Sequence, residues 1–264
     1  MKQFENPDFI SVGSLAKTIG SAKREQSDEL KGTIYRLYSD NQDVIEIQFS
    51  EGRIIHWKQQ TTEFEVVANI YPISEAIYFI DFVNPNQVLE SHSFILDLEF
   101  QIATHVIGTL PVKVEYSLSL FERAEKNMCL SPIHLRWEHL SIGNPFSEKT
   151  RIHENTTDLV GHRYLWHYTE TEAYEHQYLS DQFYTWYCHS GSEKGLCDTD
   201  RCFYFRIRPG IYYFIWIEKI IPTLGMVVED MNQMKTWGKL YGYAGYEEGK
   251  IVNCQMAAEG ECLE

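Results

Sequence analysis

Lys and Arg are scarce in this chain of 264 residues, which carries 23 of them against 38 Asp and Glu, for a formal charge of −15. Nucleic acids and anionic membrane surfaces are bound through clusters of Lys and Arg. The composition therefore argues against both as partners, and we interpret the acidic excess as a contribution to solubility.

Long apolar runs are also absent. No stretch approaches the roughly 20 residues that cross a membrane, and residues 1–14 lack the charged and then apolar segments of an export signal. We therefore expect a cytoplasmic protein without a membrane partner. The chain contains no G-x-G-x-x-G, P-loop, H-E-x-x-H or G-x-S-x-G motif. These absences argue against nucleotide-dependent redox chemistry and phosphoryl transfer, and we predict no cofactor.

The six cysteines do not show the C-x-x-C spacing of a zinc knuckle. Without an export signal, reduced thiols are the expectation. Cys188, His189, Cys197 and Cys202 are close in sequence, so a structural zinc site stays open as an alternative. We predict that the chain binds no metal.

Aromatic residues, in contrast, are abundant, with 17 Tyr, 14 Phe and 6 Trp, and they favour strands. An internal repeat organises them. Leu30, Gly32, Tyr35, Glu46 and Trp57 recur 129 positions later as Leu159, Gly161, Tyr164, Glu175 and Trp186. Tyr78-Phe79-Ile80 recurs at an offset of 135 as Tyr213-Phe214-Ile215, as one loop insertion would produce. Two copies of this length predict a duplicated domain.

Each copy divides into seven short apolar runs separated by turn residues. In the first copy these predicted strands are 32–38, 43–49, 52–58, 64–70, 76–83, 92–100 and 103–108. In the second they are 162–168, 173–179, 183–189, 201–207, 211–218, 223–230 and 236–242. Strands that follow one another without intervening helices favour an antiparallel meander, which buries its edges by closing into a barrel. We predict an all-β protein of two tandem antiparallel β-barrels.

The remaining segments define the domain boundaries. We predict an N-terminal arm laid over the first domain, with a short helix at 14–18, and a connection that packs on one barrel. An acidic, partly mobile tail follows the second barrel. The predicted segments are an arm over 1–29, a first barrel over 30–111, a connection over 112–157, a second barrel over 158–246 and a tail over 247–264.

Several stretches of the second copy resemble the C-terminal domain of the MoaF family. They are L-V-G-H-R-Y-L-W-H-Y (159–168), Y-E-H-Q-Y-L (174–179), Y-T-W-Y-C (184–188), S-G-S-E-K-G-L-C-D-T-D-R-C (190–202) and I-W-I-E-K-I-I-P-T-L-G (215–225). The first copy resembles the N-terminal domain of that family, and together the copies cover about residues 28–245. The resemblance implies lipocalin-like (calycin) barrels and an association with molybdenum cofactor biosynthesis.

The second copy is also distantly similar to phenolic acid decarboxylases, which have one lipocalin-like barrel and need no cofactor. Tyr168 and Glu218 fall on catalytic positions of that family, whereas Trp166 replaces a catalytic Tyr. The catalytic Arg of the family would fall near Leu196 and is absent, so Arg201 is the candidate for binding a substrate carboxylate.

Strand alternation gathers the candidate site residues of the second copy, because every second residue shares a face. The candidates for substrate binding are Tyr164, Trp166, His176, Tyr178, Trp186, Trp216 and Arg201. If these faces point inward, the barrel holds an aromatic box with phenol hydroxyls, a histidine and Glu218. Burial would raise the pKa of Glu218 toward a value that suits proton transfer.

Each of these residues also has a structural interpretation. The aromatic residues and histidines are equally consistent with core packing, and Glu218 with a surface pair beside Lys219. The first copy has Leu37 and Ser39 in place of Trp166 and Tyr168. We therefore expect it to be a supporting barrel, although His56, Trp57 and Asp81 leave a second site open.

The sequence predicts a cofactor-independent enzyme that acts on a small aromatic or conjugated metabolite inside the second barrel. The reaction would be a lyase, isomerase or decarboxylase-like step in which Glu218 moves a proton and Tyr168 binds the substrate through a hydrogen bond. The alternative is a binding protein without catalysis, for example for a pterin, since a pterin would stack on the same aromatic residues.

Overall fold

Strands make up most of the computed structural model, which describes residues 9–21 and 24–263. The chain folds into two compact units. One unit contains residues 24–110 and 134–154, and the other contains residues 111–133 and 155–263 together with the described N-terminal segment 9–21. The prediction of an all-β protein with two antiparallel barrels is confirmed.

The strands of the first half are β1 Ile34–Ser39, β2 Val44–Phe49, β3 Ile54–Gln59, β4 Thr62–Val67, β5 Asn69–Ser74, β6 Ile77–Val83, β7 Glu90–Asp97, β8 Ile102–Thr109 and β9 His134–Ile142. Those of the second half are β10 Glu154–Asn155, β11 Arg163–His167, β12 Ala173–Tyr178, β13 Phe183–Ser190, β14 Cys197–Arg208, β15 Ile211–Glu218, β16 Thr223–Asp230, β17 Lys235–Tyr243 and β18 Ile251–Leu263. Three short helices are α1 Val12–Thr18, α2 Lys113–Tyr116 and α3 Leu120–Glu125.

The second barrel is a closed ring of eight antiparallel strands, β11 to β18. Strand β14 pairs with both β13 and β15, and β11 pairs with both β12 and β18. Side chains that alternate along each strand fill the interior, among them Trp166, Tyr178, Tyr204, Phe214 and Trp216. A ring of this size leaves room inside for side chains and one small ligand.

The first barrel is nearly closed. Its strand order is β4-β3-β2-β1-β9-β8-β7-β6-β5, so the two open edges belong to β4 and β5, which are consecutive in sequence. Trp57 lies at the centre of its core, stacked on Phe64 with ring centroids 5.8 Å apart. Ile47, Ile80 and Leu140 complete the same cluster.

The strands that close the two barrels were both missed by the sequence analysis. Strand β9 lies within the predicted connection, and β18 occupies most of the predicted mobile tail, so the tail prediction is wrong. Each pairs with the first strand of its barrel, β9 with β1 and β18 with β11. In β9 the apolar Leu135 and Trp137 alternate with polar residues, but Trp137 is exposed, so this alternation does not mark a buried face. The pairing is set by long-range contact.

Residues 9–21 of the predicted arm pack on the second barrel, so the prediction that the arm covers the first domain is wrong for them. Residues 24–29 do belong to the first unit, where the Ser27 N–H donates to the Ile70 carbonyl at 2.9 Å. The α1 helix begins after Ser11, whose hydroxyl accepts a hydrogen bond from the Ser14 N–H at 3.3 Å. The backbone N–H of Gly13 donates to the carbonyl of Ala244, in the connection between β17 and β18, at 3.1 Å. Val12 and Ile19 are buried in the core cluster of the second barrel.

Candidate functional site

Alternation along β12 separates an inner face from an outer face. Tyr174, His176 and Tyr178 belong to the inner face and are almost fully buried. Glu175, on the outer face, binds the side chains of Arg163 and His189 at 2.7 Å each. The same two-residue period places Tyr184 and Trp186 of β13 and Trp216 and Glu218 of β15 on the barrel interior.

The interior contains a cavity of about 50 Å³, measured as the space that the centre of a water molecule can occupy. That volume holds a few waters. The residues that line it are Phe9, Ile10, Val12, Leu15, Ile19, Tyr168, Tyr174, His176, Tyr184, Trp186, Glu193, Trp216, Glu218, Ile221, Thr223, Leu240 and Met256. Six of them carry aromatic rings other than imidazole, so the cavity is an aromatic box.

Glu218 is the acid of this box. The indole N–H of Trp216 donates to its Oε1 at 3.0 Å, and the hydroxyl of Ser131 donates to its backbone carbonyl at 2.8 Å. Burial raises the pKa of Glu218 well above its ordinary value, and the nearby Asp200 charge raises it further. Burial therefore favours the neutral form of Glu218, which can donate a proton to a bound molecule.

Asp200 is a second carboxyl group on the barrel interior. It accepts a hydrogen bond from the indole N–H of Trp186 at 3.3 Å and from the ammonium group of Lys219 at 3.3 Å. Burial raises the pKa of Asp200 to about 6, although Lys219 opposes the shift. Each tryptophan of the cavity thus holds one carboxyl group, Trp186 with Asp200 and Trp216 with Glu218.

Tyr168 and Glu193 supply two further polar groups of the cavity. Burial raises the pKa of the Tyr168 hydroxyl, so this group is a neutral hydrogen-bond donor. Glu193 lies in the loop between β13 and β14 and accepts hydrogen bonds from the Tyr174 hydroxyl at 3.2 Å and the Ile10 N–H at 3.3 Å. Burial raises the pKa of Glu193 as well.

The N-terminal segment forms one side of the cavity. The Phe9 ring meets Trp186 edge-on, with centroids 6.3 Å apart, and the Tyr246 hydroxyl donates to the Phe9 carbonyl at 3.0 Å. Further along, the hydroxyls of Thr18 and Ser192 are 3.5 Å apart. The segment is therefore held to the barrel along its length, and its apolar side chains form part of the cavity wall.

The structure brings most of the predicted site residues into this one barrel. Those that line the cavity are Tyr168, His176, Trp186, Trp216 and Glu218. Those that pack in the same core without lining the cavity are Tyr164, Trp166 and Tyr178.

Arg201 lies on the other side of the barrel wall, and its prediction as a substrate ligand is wrong. In β14 the alternation places Cys202 and Tyr204 in the core, so Arg201 points outward. Its guanidinium binds the Gln182 side chain and lies 5.5 Å from the Phe183 ring centroid. The barrel interior consequently gains no cation from this position.

Sequence reasoning missed three interior strand residues: Tyr174, Asp200 and Glu229. Tyr174 alternates with His176, so strand period alone could have found it. Asp200 pairs with Tyr184 across β13 and β14, which requires the register of two strands. Glu193 was also missed, because a loop carries no periodic signal.

Glu229 is the centre of a deeper polar group in the same barrel. It is fully buried and accepts a hydrogen bond from the Tyr178 hydroxyl at 2.5 Å. His176 Nδ1 lies 3.8 Å from the same carboxylate oxygen. Within the described chain, His176 Nδ1 and Glu229 Oε2 are buried polar atoms with no hydrogen-bond partner. Buried polar atoms without a hydrogen-bond partner are rare in folded proteins, so each of them calls for an explanation.

The first barrel has a polar interior of its own, so the expectation that it is purely a supporting barrel overlooked a buried network. Glu90, His92, His105 and Glu138 form a chain with links of 2.9, 2.9 and 2.8 Å. The hydrogen bond from His92 is the main reason that the pKa of Glu90 falls to about 2, whereas burial raises the pKa of Glu138. Burial lowers the pKa of His105 well below its ordinary value. If Glu90 is ionised and Glu138 is protonated, each of the three hydrogen bonds in the chain contains one proton, and both histidines are neutral.

Metal-ligand clusters and membrane-spanning helices are both missing from residues 9–21 and 24–263. In that part of the chain no three His, Cys, Asp or Glu side chains are grouped so as to hold a metal ion. Nor does it contain a helix that is long and apolar enough to span a membrane.

Comparison with known proteins gives the family. The model of the MoaF N-terminal domain matches residues 7–112, and that of the MoaF C-terminal domain matches residues 153–264. Protein MoaF of Klebsiella aerogenes is 31% identical over 262 residues, covering 97% of this chain and 95% of that protein. A putative beta-lactamase from Burkholderia vietnamiensis shares 8% identity with a TM-score of 0.35, covering 42% of this chain and all of that one. The likeness to that protein is too slight to be informative, whereas the two domain matches and the Klebsiella relative show that the chain belongs to the MoaF family.

Proposed function

We propose that the second barrel binds a small aromatic or conjugated metabolite and catalyses a cofactor-independent proton transfer on it. The observation that carries this proposal is Glu218, a half-buried acid with a raised pKa, whose Oε1 is fixed by the Trp216 indole inside an aromatic cavity. A positioned acid whose pKa is raised toward neutrality suits general acid–base catalysis. The reaction class is that of a lyase or an isomerase.

In this proposal each cavity residue has a separate role in the reaction. Glu218 moves the proton, and Tyr168 supplies a neutral hydroxyl that orients the substrate or stabilises a developing oxyanion. The rings of Trp186 and Trp216 form flat walls for a planar molecule. Because the cavity has room for only a few waters, a ring-sized ligand would require wall residues such as Phe9 and Ile10 to move outward.

Decarboxylation of a phenolic acid is not favoured by this geometry. A substrate carboxylate needs a cationic partner, and the described lining residues include no Lys or Arg. Arg201, the candidate for that role, faces outward. A substrate without a carboxylate is therefore the better match to this cavity.

The proposal is tested by proton exchange into a simple aryl-substituted ketone. Phenylacetone would be incubated with the protein in D₂O, and loss of its benzylic protons followed by NMR. We expect the wild type to accelerate exchange, because Glu218 protonates the ketone oxygen while solvent takes the benzylic proton, and Glu218→Gln to lose roughly 10²- to 10⁴-fold of that acceleration. Glu247→Gln, at an exposed position between β17 and β18, is the matched control and should retain it.

Equal rates for the wild type and Glu218→Gln would show that Glu218 is not the acid–base group. Binding of phenylacetone without exchange would favour the second candidate, a binding protein without catalysis, such as one for a pterin in molybdenum cofactor biosynthesis. The position of Phe9 and Ile10 in the cavity wall favours that candidate, because these side chains would cover part of a bound molecule whether or not it reacts.

A further inference from the structure

The wall of the cavity in the second barrel combines aromatic rings with carboxyl groups. The rings belong to Phe9, Tyr168, Tyr174, Tyr184, Trp186 and Trp216, and the carboxyl groups to Glu193 and Glu218. The face of an aromatic ring is electronegative and attracts a cation. The rings and the carboxylate form of the acids therefore both favour a positively charged ligand.

The hydrogen-bond donors to these carboxyl groups are neutral. Glu218 receives the Trp216 indole N–H, and Glu193 receives the Tyr174 hydroxyl and the Ile10 N–H. Lys219 is the nearest cation in the wall, and its ammonium group is bound by Asp198, Asp200 and the Thr199 carbonyl. The cavity thus offers two carboxyl groups with no positive charge of their own to balance them.

A second observation also points to a ligand in this cavity. His176 lines it with only 3% of its surface exposed. Its Nδ1 lies 3.8 Å from Glu229 Oε1, and Glu229 is not among the residues that line the cavity. His176 therefore adds an imidazole ring to the aromatic wall that a ligand would meet.

Resting on the proposed ligand binding in the second barrel, we propose that the ligand is a small organic cation, an aromatic or conjugated molecule that bears a protonated amine. The ammonium group lies between the ring faces and pairs with Glu193 and Glu218. This is the recognition chemistry of an aromatic cage, in which cation–π attraction is strongest where water is excluded.

Cation binding is linked to a proton. Burial keeps the empty cavity's carboxyl groups protonated above their ordinary range. When the ammonium group enters, one carboxylic acid loses its proton to solvent, and the resulting carboxylate pairs with the cation, so the charge of the cavity stays balanced. If Glu218 is the group that ionises, binding also converts it from an acid into a base.

The test uses three probes of similar shape and different charge. At pH 7, 2-phenylethylamine is a cation, 2-phenylethanol is neutral and 3-phenylpropanoate is an anion. Isothermal titration of each into the wild-type protein should show the amine binding at least about tenfold more tightly than the alcohol, with the acid weakest. Titration of the amine in two buffers of different ionisation enthalpy should show net release of protons.

Variants test whether the carboxyl groups cause the preference for the amine over the alcohol. Glu193→Gln/Glu218→Gln should reduce the preference for the amine over the alcohol to about threefold or less, abolish proton release and keep the affinity for 2-phenylethanol. Glu247→Gln should behave as the wild type. Circular dichroism and 2-phenylethanol binding establish that the double variant is folded.

Two results would overturn the assignment. If 2-phenylethanol or 3-phenylpropanoate binds as tightly as the amine, the site does not select a cation, although ligand binding in the second barrel still stands. If none of the three binds at millimolar concentration, the cage is not a site for such cations. The exchange of phenylacetone in D₂O decides separately whether the proposed acid–base chemistry occurs.

Discussion

Glu218 occupies a position where burial and a neighbouring carboxyl group both oppose its negative charge. The folded state therefore raises its pKa above the value of about 4.5 that it has in an unfolded chain. When the pKa of an acid is higher in the folded protein than in the unfolded chain, its contribution to the free energy of unfolding is fully present below the pKa of the unfolded chain. That contribution is lost as the pH rises through the pKa of the folded protein. Ionisation of Glu218 should therefore destabilise the second barrel at neutral and alkaline pH.

Replacing Glu218 with Gln removes this dependence while keeping an oxygen for the Trp216 indole. We expect the melting temperature of Glu218→Gln to exceed that of the wild type by a few degrees at pH 9, and the difference to shrink or reverse at pH 4. Calorimetric melts of both proteins across this range measure it. A difference that is constant with pH would mean that the Glu218 pKa is not raised in the folded protein.

Sequence reasoning identified Glu218 but not its counterpart in the first barrel. At the offset of 135 found for Tyr78-Phe79-Ile80, Val83 falls opposite Glu218. In the structure, the inward residues Ile80 and Phe82 match Phe214 and Trp216 at an offset of 134 instead. Glu218 then corresponds to Asn84, which donates to Glu90 at 3.1 Å. A slip of one residue exchanges the two faces of a strand, and identity alone does not reveal it.

At the scale of elements, the N-terminal segment controls access to the cavity. Its residues Phe9, Ile10 and Leu15 form part of the wall, so a ligand that enters must displace some of them. Such a step slows association relative to diffusion into an open site. The segment was predicted as an arm over the first domain, because a short apolar helix shows which face is buried but not which surface buries it.

A disulfide can hold this segment in place. Thr18 Oγ1 and Ser192 Oγ are 3.5 Å apart, so the double variant Thr18→Cys/Ser192→Cys brings two thiols within reach of a bond. Replacing the exposed Cys129, Cys197 and Cys262 with Ser leaves only buried native thiols. We expect oxidation to slow association of 2-phenylethylamine at least about tenfold and a reductant to restore it, as measured by stopped-flow fluorescence.

The single variant Thr18→Cys in the same background is the control, and an oxidant should leave its association rate unchanged. If the oxidised double variant associates as fast as the reduced one, the ligand does not enter past the N-terminal segment.

At the scale of the whole molecule, the repeat predicted two domains and the strand period predicted barrels, and the two barrels are confirmed. The sequence analysis did not predict the closing strands β9 and β18, because each pairs with a strand far away in the chain. Leu140 of β9 lies opposite Ser39, and Glu259 of β18 lies opposite His167. Alternation within strands was enough to predict most of the site residues. Asp200 could be placed only from the register of two strands, and Glu193 only from the conformation of a loop. Such contacts are fixed by tertiary packing, which local pattern does not encode.

Duplication has left two barrels with different interiors. The second contains a cavity with aromatic rings and a neutral acid, whereas the first packs Trp57 against His92 and His105, with ring centroids 5.2 and 5.8 Å apart. The His92 and His105 pair is linked at both ends to carboxyl groups and buried among aromatic rings. We therefore assign ligand binding to the second barrel and internal hydrogen bonding to the first.

The most direct test of that assignment uses the six tryptophan indole N–H signals of the ¹⁵N-labelled protein, assigned by Trp→Phe variants. 2-Phenylethylamine and 2-phenylethanol would be added in turn, and the signals followed by two-dimensional NMR. We predict that the indole signals of Trp186 and Trp216 shift with a saturable dependence on ligand, while those of Trp57 and Trp137 stay in place. A saturable shift of Trp57 with no movement of Trp186 and Trp216 would contradict the account and place the binding site in the first barrel.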